Sequence, residues 1–183
     1  MKQLRGTPLK RFLRTLPAPP SPVELAVVCQ SVAYPVNVGS VFRIADALHA
    51  SQVVLSGITP VPPHPTVVKV GRDKDRNVPW RYVEEPEAAL NELREQGFWI
   101  AALEITQDSQ PYYAVDYPDR VALVLGNEDH GVTRSCLALC DQAILVPMYG
   151  KGKSLNVHVS LAVVGYHILH RLPASKISGM GVR

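Results

Sequence analysis

The chain has 183 residues, of which 46% are hydrophobic, with a mean hydropathy of +0.03 and a formal net charge of +3. This is enough for one domain with a full core and too short for two of ordinary size, and the composition excludes a disordered or fibrous chain. No run approaches the roughly 18 apolar residues of a membrane span, and the amino terminus lacks a signal-peptide apolar core, so a cytoplasmic location with no membrane partner is expected.

The charge is unevenly placed. Residues 1–22 hold Lys2, Arg5, Lys10, Arg11 and Arg14 with no acid, while the remainder holds 14 basic and 16 acidic residues. Such an arm suits phosphate contacts, or it is a solvated tail. Leu16-Pro-Ala-Pro-Pro-Ser-Pro22 reads as a stiff polyproline linker. The expected organisation is therefore a basic arm and linker over 1–22 and one domain over 23–183.

From there strands and helices alternate. β-Forming apolar runs predict strands at 24–29, 52–56, 98–104, 121–125 and 143–146, with a weaker one at 81–83. Helices are predicted at 39–49, 86–96, 133–140 and 155–171; the clearest has Pro86 in its first turn and Gly97 after its last. This alternation predicts an α/β fold, a mostly parallel sheet with helices on both faces. Thr59-Pro-Val-Pro-Pro-His-Pro65 cannot be regular structure, because four prolines remove donors and fix φ. The polar run 69–76 that follows faces RNA or solvent. Tyr112, Tyr113 and Tyr117 lie in a loop, where stacking on bases competes with packing.

Cys29, Cys136 and Cys140 form no C-x-x-C pair and read as buried free thiols. His167 and His170 sit three apart on one predicted helix, but no third ligand is suitably spaced, so no metal is expected. No G-x-G-x-x-G follows the first strand, which argues against a Rossmann dehydrogenase.

Two strands break into polar, glycine-containing loops near the carboxyl end. The first is Val121-Ala-Leu-Val-Leu-Gly-Asn-Glu-Asp-His-Gly131. The second is Ile144-Leu-Val-Pro-Met-Tyr-Gly-Lys-Gly-Lys-Ser-Leu-Asn-Val-His-Val159. Ligands of open α/β sheets bind beyond the carboxyl ends of strands. Ser154 is placed to cap the following helix.

With Asn37-Val-Gly-Ser-Val-Phe-Arg43, these segments resemble, in order, the three signature motifs of the SpoU (TrmH-like) RNA ribose 2'-O-methyltransferases of the SPOUT superfamily. The tract Ser154–Ser160, with Ala101–Thr106 and Thr59-Pro60, resembles the tRNA guanosine branch most, whereas 69–77 departs from that branch. The resemblance implies a carboxyl-terminal trefoil knot, S-adenosylmethionine as cofactor, and RNA as partner, with tRNA favoured over rRNA. It also implies a homodimer with the active site at the subunit interface. A catalytically silent RNA-binding protein on the same fold is the alternative.

The resemblance assigns Arg43, Asn37, Glu128 and Asn156 to catalysis. It assigns Leu103, Gly126, Val146, Met148, Ser154 and Leu155 to the cofactor. By its chemistry Arg43 is a poor base, since a guanidinium stays protonated, and is better suited to gripping phosphate bidentately. Asn37, read as part of a strand-to-helix loop, either orients the substrate or caps the helix. Glu128 can accept from backbone, Arg43 or Asn156.

Overall fold

The computed structural model describes residues 3–16 and 23–170. Residues 17–22 of the expected polyproline linker and residue 171, the last of the helix expected over 155–171, lie outside these residues. The body is a seven-stranded sheet in the order β3-β2-β1-β6-β4-β7-β5, with every pairing parallel. The strands are β1 (Glu24–Gln30), β2 (Gln52–Ser56), β3 (Trp80–Val83), β4 (Trp99–Leu103), β5 (Gln110–Pro111), β6 (Arg120–Leu125) and β7 (Gln142–Leu145). All six predicted strands are present. The two-residue β5 is additional, and is too short to leave a periodicity.

Both faces of the sheet are covered, and the period-2 alternation of the strands divides the core between them. Leu25, Val27 and Cys29 of β1 point toward α2 (Pro35–Ala47) and α6 (Val157–His170), meeting Val41, Phe42, Leu161 and Ile168. Ala26 and Val28 point the other way, toward Leu90 and Leu93 of α4 (Pro86–Glu95) and Cys136 of α5 (Arg134–Ala138). Each fully buried Leu or Phe contributes about 1.5–3 kcal/mol, so the buried central strands β1 and β6 anchor everything attached to them.

Four local expectations are corrected. Helix α2 starts at Pro35 rather than near 39, which puts Asn37 inside the helix and not in a loop. Pro35 supplies the fixed φ of a first turn. The carboxylate of Glu128 accepts from the Ala33 and Tyr34 N–H groups just ahead of it, a cap about 95 residues away in sequence. Helix α6 starts at Val157, where the Asn156 carbonyl accepts from the N–H groups of Val159 and Ser160, so Ser154 does not cap it.

Pro65, expected in the irregular segment 59–65, and the start of the polar run 69–76 instead belong to α3 (Pro65–Gly71), with Pro65 in the first turn and His64 Nδ1 accepting from the Thr66 N–H. It packs on α2 through glycine: a Cβ at Gly39 would come within 2.8 Å of Val67 O and Val70 Cβ. Within the arm, Gly6–Leu13 forms α1, which has no buried residue.

Tyr117 is buried, its hydroxyl donating to the Tyr112 carbonyl, and both rings pack edge-on against His167. Tyr113 is exposed. Cys29 and Cys136 are buried, Cys140 is partly buried, and all three are free thiols. Burial pushes the Cys29 thiol up to about 12. Among the described residues no helix is long and apolar enough to cross a membrane.

Candidate active site

Strands β6, β4 and β7 are neighbours in the sheet, and the chain leaving their carboxyl ends encloses a cleft of about 380 Å³. Leu103, Glu104 and Ile105 come from the end of β4, and residues 125–131 from the end of β6. Ile144 and Leu145 end β7 and Val146 follows it, while Ser154 and Leu155 precede α6 and Val157 and Ser160 lie in its first turn. This is a small-ligand volume, lined about equally by polar and apolar surface.

The β6 loop is tied by its own side chains. Asn127 and Gly131 exchange backbone hydrogen bonds, and Asn127 Oδ1 accepts from the N–H groups of Asp129 and His130. Gly126 must be glycine, because a Cβ there would lie 2.3 Å from the Gly131 carbonyl carbon and 2.4 Å from Val132 N. Glu104 fastens this loop to β4: its carboxylate accepts from the N–H groups of Val132 at 2.8 Å and Ile105 at 2.9 Å.

Beside the cleft, Glu128 reaches to the start of α2. Its Oε2 accepts from Ala33 N–H at 2.8 Å, and its Oε1 accepts from Tyr34 N–H at 3.2 Å and from Asn37 Nδ2 at 2.7 Å. Asn37 Oδ1 in turn lies 3.0 Å from Nδ1 of His158, in the first turn of α6. Glu128, Asn37 and His158 thus form one chain of hydrogen bonds joining the β6 loop, α2 and α6. Burial pulls the His158 imidazole below its ordinary pKa.

The residues assigned by motif divide. Leu103, Gly126, Val146, Ser154 and Leu155 line the cleft, as does Glu128. Met148 is half-buried outside the lining, where a side chain at Gly152 would meet its methyl group. Asn37 joins Glu128 directly, and neither Arg43 nor Asn156 does.

Arg43 is exposed, about 120° around α2 from the buried Asn37 by helix geometry, with no hydrogen bond or ion pair among the described residues. Asn156 is exposed, and its backbone carbonyl starts α6. Several residues at or beside the cleft lie outside the motif assignments, and three of them carry titratable side chains that bear on the chemistry: Glu104, His130 and His158. The first is legible as the charged residue ending a strand. The two imidazoles stand inside the motif segments, which give them no role.

The sequence profile of the SpoU rRNA Methylase family matches residues 24–166. The 23S rRNA (guanosine-2'-O-)-methyltransferase RlmB of Neisseria meningitidis is 32% identical over 156 residues, covering 85% of this chain and 60% of that protein. The tRNA (guanosine(18)-2'-O)-methyltransferase of Thermus thermophilus is 31% identical over 141 residues, covering 77% and 72%. Among solved structures, the AdoMet-bound rRNA methyltransferase of Sinorhizobium meliloti superposes with a TM-score of 0.74 at 25% identity, covering 81% of this chain and 56% of that one. The chain thus spans about three-fifths of the first of these curated relatives.

Proposed function

Because the chain belongs to the SpoU rRNA Methylase family, we propose that it is an S-adenosylmethionine-dependent RNA methyltransferase acting on a ribose 2'-hydroxyl, with guanosine in tRNA as first substrate. The observation that carries this reading is the cleft beyond β6, β4 and β7 with the Glu128–Asn37 pair at its edge. Guanosine is common to the names of the RlmB and tRNA relatives. The tract Ser154–Ser160 supports tRNA, and the slightly higher identity to RlmB makes rRNA the second reading.

The residues present fit an adenosyl ligand. Leu103, Ile144 and Val146 offer an apolar slot for a base, while Glu104 and the backbone of 126–131 offer a polar edge. When bound, the cofactor supplies an electrophilic methyl sulfonium. The chain's contribution is to hold the 2'-oxygen in line, to exclude water, and to stabilise charge as the hydroxyl loses its proton. Glu128 fixes α2 against the cleft loop, and Arg43, further along α2, grips substrate phosphate.

The site is completed by a second copy of the chain, and the carboxyl-terminal part forms the trefoil knot of the family. Exposed Tyr34 and Val36 at the start of α2, with Leu155 just ahead of α6 and Val159 within it, supply the apolar surface for such a partner. Residues 1–22 act as an arm outside the domain over 23–183, a division supported by the absence of any buried residue in α1.

The test is transfer of labelled methyl from S-adenosylmethionine to unmodified tRNA and 23S rRNA transcripts, followed by mapping of the methylated nucleotide. Methylation of rRNA alone moves the reading to the second substrate. Methylation of neither RNA, despite cofactor binding, leaves the silent RNA-binding alternative.

A further inference from the structure

His158 has a defined tautomer. Asn37 Nδ2 donates to Glu128 Oε1, a carboxylate oxygen that only accepts, so the amide must present Oδ1 to His158. An amide oxygen also only accepts. The hydrogen of that contact therefore belongs to His158 Nδ1, and the neutral ring keeps its lone pair on Nε2. Burial partly desolvates the ring, which favours the neutral form. At the other end, the negative charge of Glu128 is held by two backbone N–H groups. A carboxylate, an amide and an imidazole in series orient the ring and support positive charge on it, as the third member of a nucleophile–histidine–orienter triad does.

His158 adjoins the cleft between Val157 and Ser160, which line it, and the neighbouring groups are less suited to take a proton. Arg43 stays protonated. Both oxygens of Glu128 are already engaged. Asp129 is exposed and accepts from the Tyr34 hydroxyl. His130 lines the cleft but is exposed, and no side-chain hydrogen bond fixes its ring among the described residues.

The charged groups on the elements around this turn of α6 are Arg43 and Asp46 on α2, Glu104 after β4, and Glu128 and Asp129 after β6. Lys151 and Lys153 lie ahead of the helix, and Arg120 stands at the far end of β6. His167 and His170 are at the other end of α6. Asp46 is paired with Lys74 at 2.7 Å and Arg120 with Glu24 at 2.8 Å, and among the described residues no ion pair reaches His158.

We propose that His158, oriented by Glu128 through Asn37, accepts the ribose 2'-hydroxyl proton during methyl transfer. This rests on the methyltransferase reading and adds a residue to it, leaving Arg43 the task of holding phosphate. In the step, the 2'-O–H proton passes to His158 Nε2 as the oxygen lone pair forms the new bond to the methyl carbon. The carbon–sulfur bond breaks with its electron pair remaining on sulfur. The imidazolium then gives its proton to water.

Two measurements test the proposal. In 15N-labelled wild-type protein, the His158 ring should show a protonated Nδ1 and a bare Nε2 at neutral pH, without RNA or cofactor. Single-turnover transfer should fall on the acid side as Nε2 protonates, with the break below the ordinary histidine value of 6.5. His158→Gln keeps a donor for Asn37 but has no proton acceptor. It should bind S-adenosylmethionine normally, transfer at least about a hundredfold more slowly, and lose the acid limb.

The opposite tautomer overturns the proposal. So does a His158→Gln enzyme with wild-type rate and pH profile, or an acid limb that His130→Gln abolishes and His158→Gln retains. Absence of transfer by the wild-type protein to any RNA overturns the methyltransferase reading, and the proposal with it. Transfer by wild type with an unchanged His158→Gln profile overturns the proposal alone.

Discussion

The cleft beyond β6, β4 and β7 and the outer surface of α2 differ in how much of each the chain holds in place itself. In the cleft, Asn127, Gly126 and Glu104 tie the loop after β6 to itself and to β4, so its walls are held by contacts within the chain. On α2, Asn37 is buried and hydrogen-bonded at both ends of its amide, while Arg43 stands exposed with no partner among the described residues. The cofactor side is preorganised. On the proposed RNA side stands a cation with no anion beside it among the described residues. Substitutions on the two sides should therefore separate binding of the small ligand from transfer to the large one.

The largest separation belongs to Arg43. Arg43→Ala disturbs no hydrogen bond or ion pair within the described structure, so folding and S-adenosylmethionine affinity should stay near wild type. Single-turnover transfer should fall at least about a hundredfold, the usual loss for a positioned electrostatic or acid–base group. Arg43→Lys should recover little, since an ammonium lacks the bidentate fork. Near wild-type transfer by Arg43→Ala would place the RNA elsewhere.

The opposite pattern is expected at Gly126. Gly126→Ala pushes a methyl group into the Gly131 carbonyl carbon, a backbone atom that cannot rotate aside. Overpacking of this kind costs about 1–3 kcal/mol. The strain falls on the cleft loop, so cofactor affinity by calorimetry should drop roughly tenfold or more. Unaltered affinity would mean that the loop shifts without touching the ligand site.

The same contrast explains what is legible in the sequence. Central strands such as Val121 to Leu125 are buried on both faces, and their unbroken apolar runs mark them locally. The cleft loops follow directly from those strands, so five of the six cofactor residues assigned by motif lie in the lining. Local pattern places helix α2 four residues late because its cap is Glu128, a residue that no local window contains. Helix α3 is hidden because its start is set by His64 beside a run of prolines, and its short apolar face is Val67 and Val70 packed on Gly39. The link between Asn37 and His158 spans 121 positions and exists only because α2 and α6 cover the same sheet face.

A smaller effect should come from the arm. α1 carries Lys10 and Arg11 beside exposed Leu9, Phe12 and Leu13, and forms none of the cleft lining. Deleting residues 1–16 removes five cations. RNA affinity should weaken and its salt dependence flatten, by about 0.7–0.9 in log–log slope for each phosphate that the arm had neutralised. Cofactor affinity should not change. An unaltered slope would make the arm a solvated tail.

The smallest effect concerns stability against pH, and it comes from two of the three histidines of α6. Burial lowers the pKa of both His158 and His167 from the ordinary 6.5. In the window between the lowered folded values and 6.5, the unfolded chain binds more protons than the folded one. Stability therefore rises with pH across that window, is fully present above it, and is lost as pH falls through it. Thermal unfolding should show a lower midpoint near pH 5 than at about pH 7.5. His167 packs edge-on against Tyr112 at 5.0 Å and Tyr117 at 6.1 Å, a setting in which a neutral ring of similar size can substitute. His167→Phe should accordingly flatten part of the dependence while leaving methyl transfer and its acid limb in place, because His167 lies outside the chain that joins Glu128, Asn37 and His158. If His167→Phe removed the acid limb of transfer instead, the proton-accepting imidazole would belong to the tyrosine cluster rather than to the start of α6.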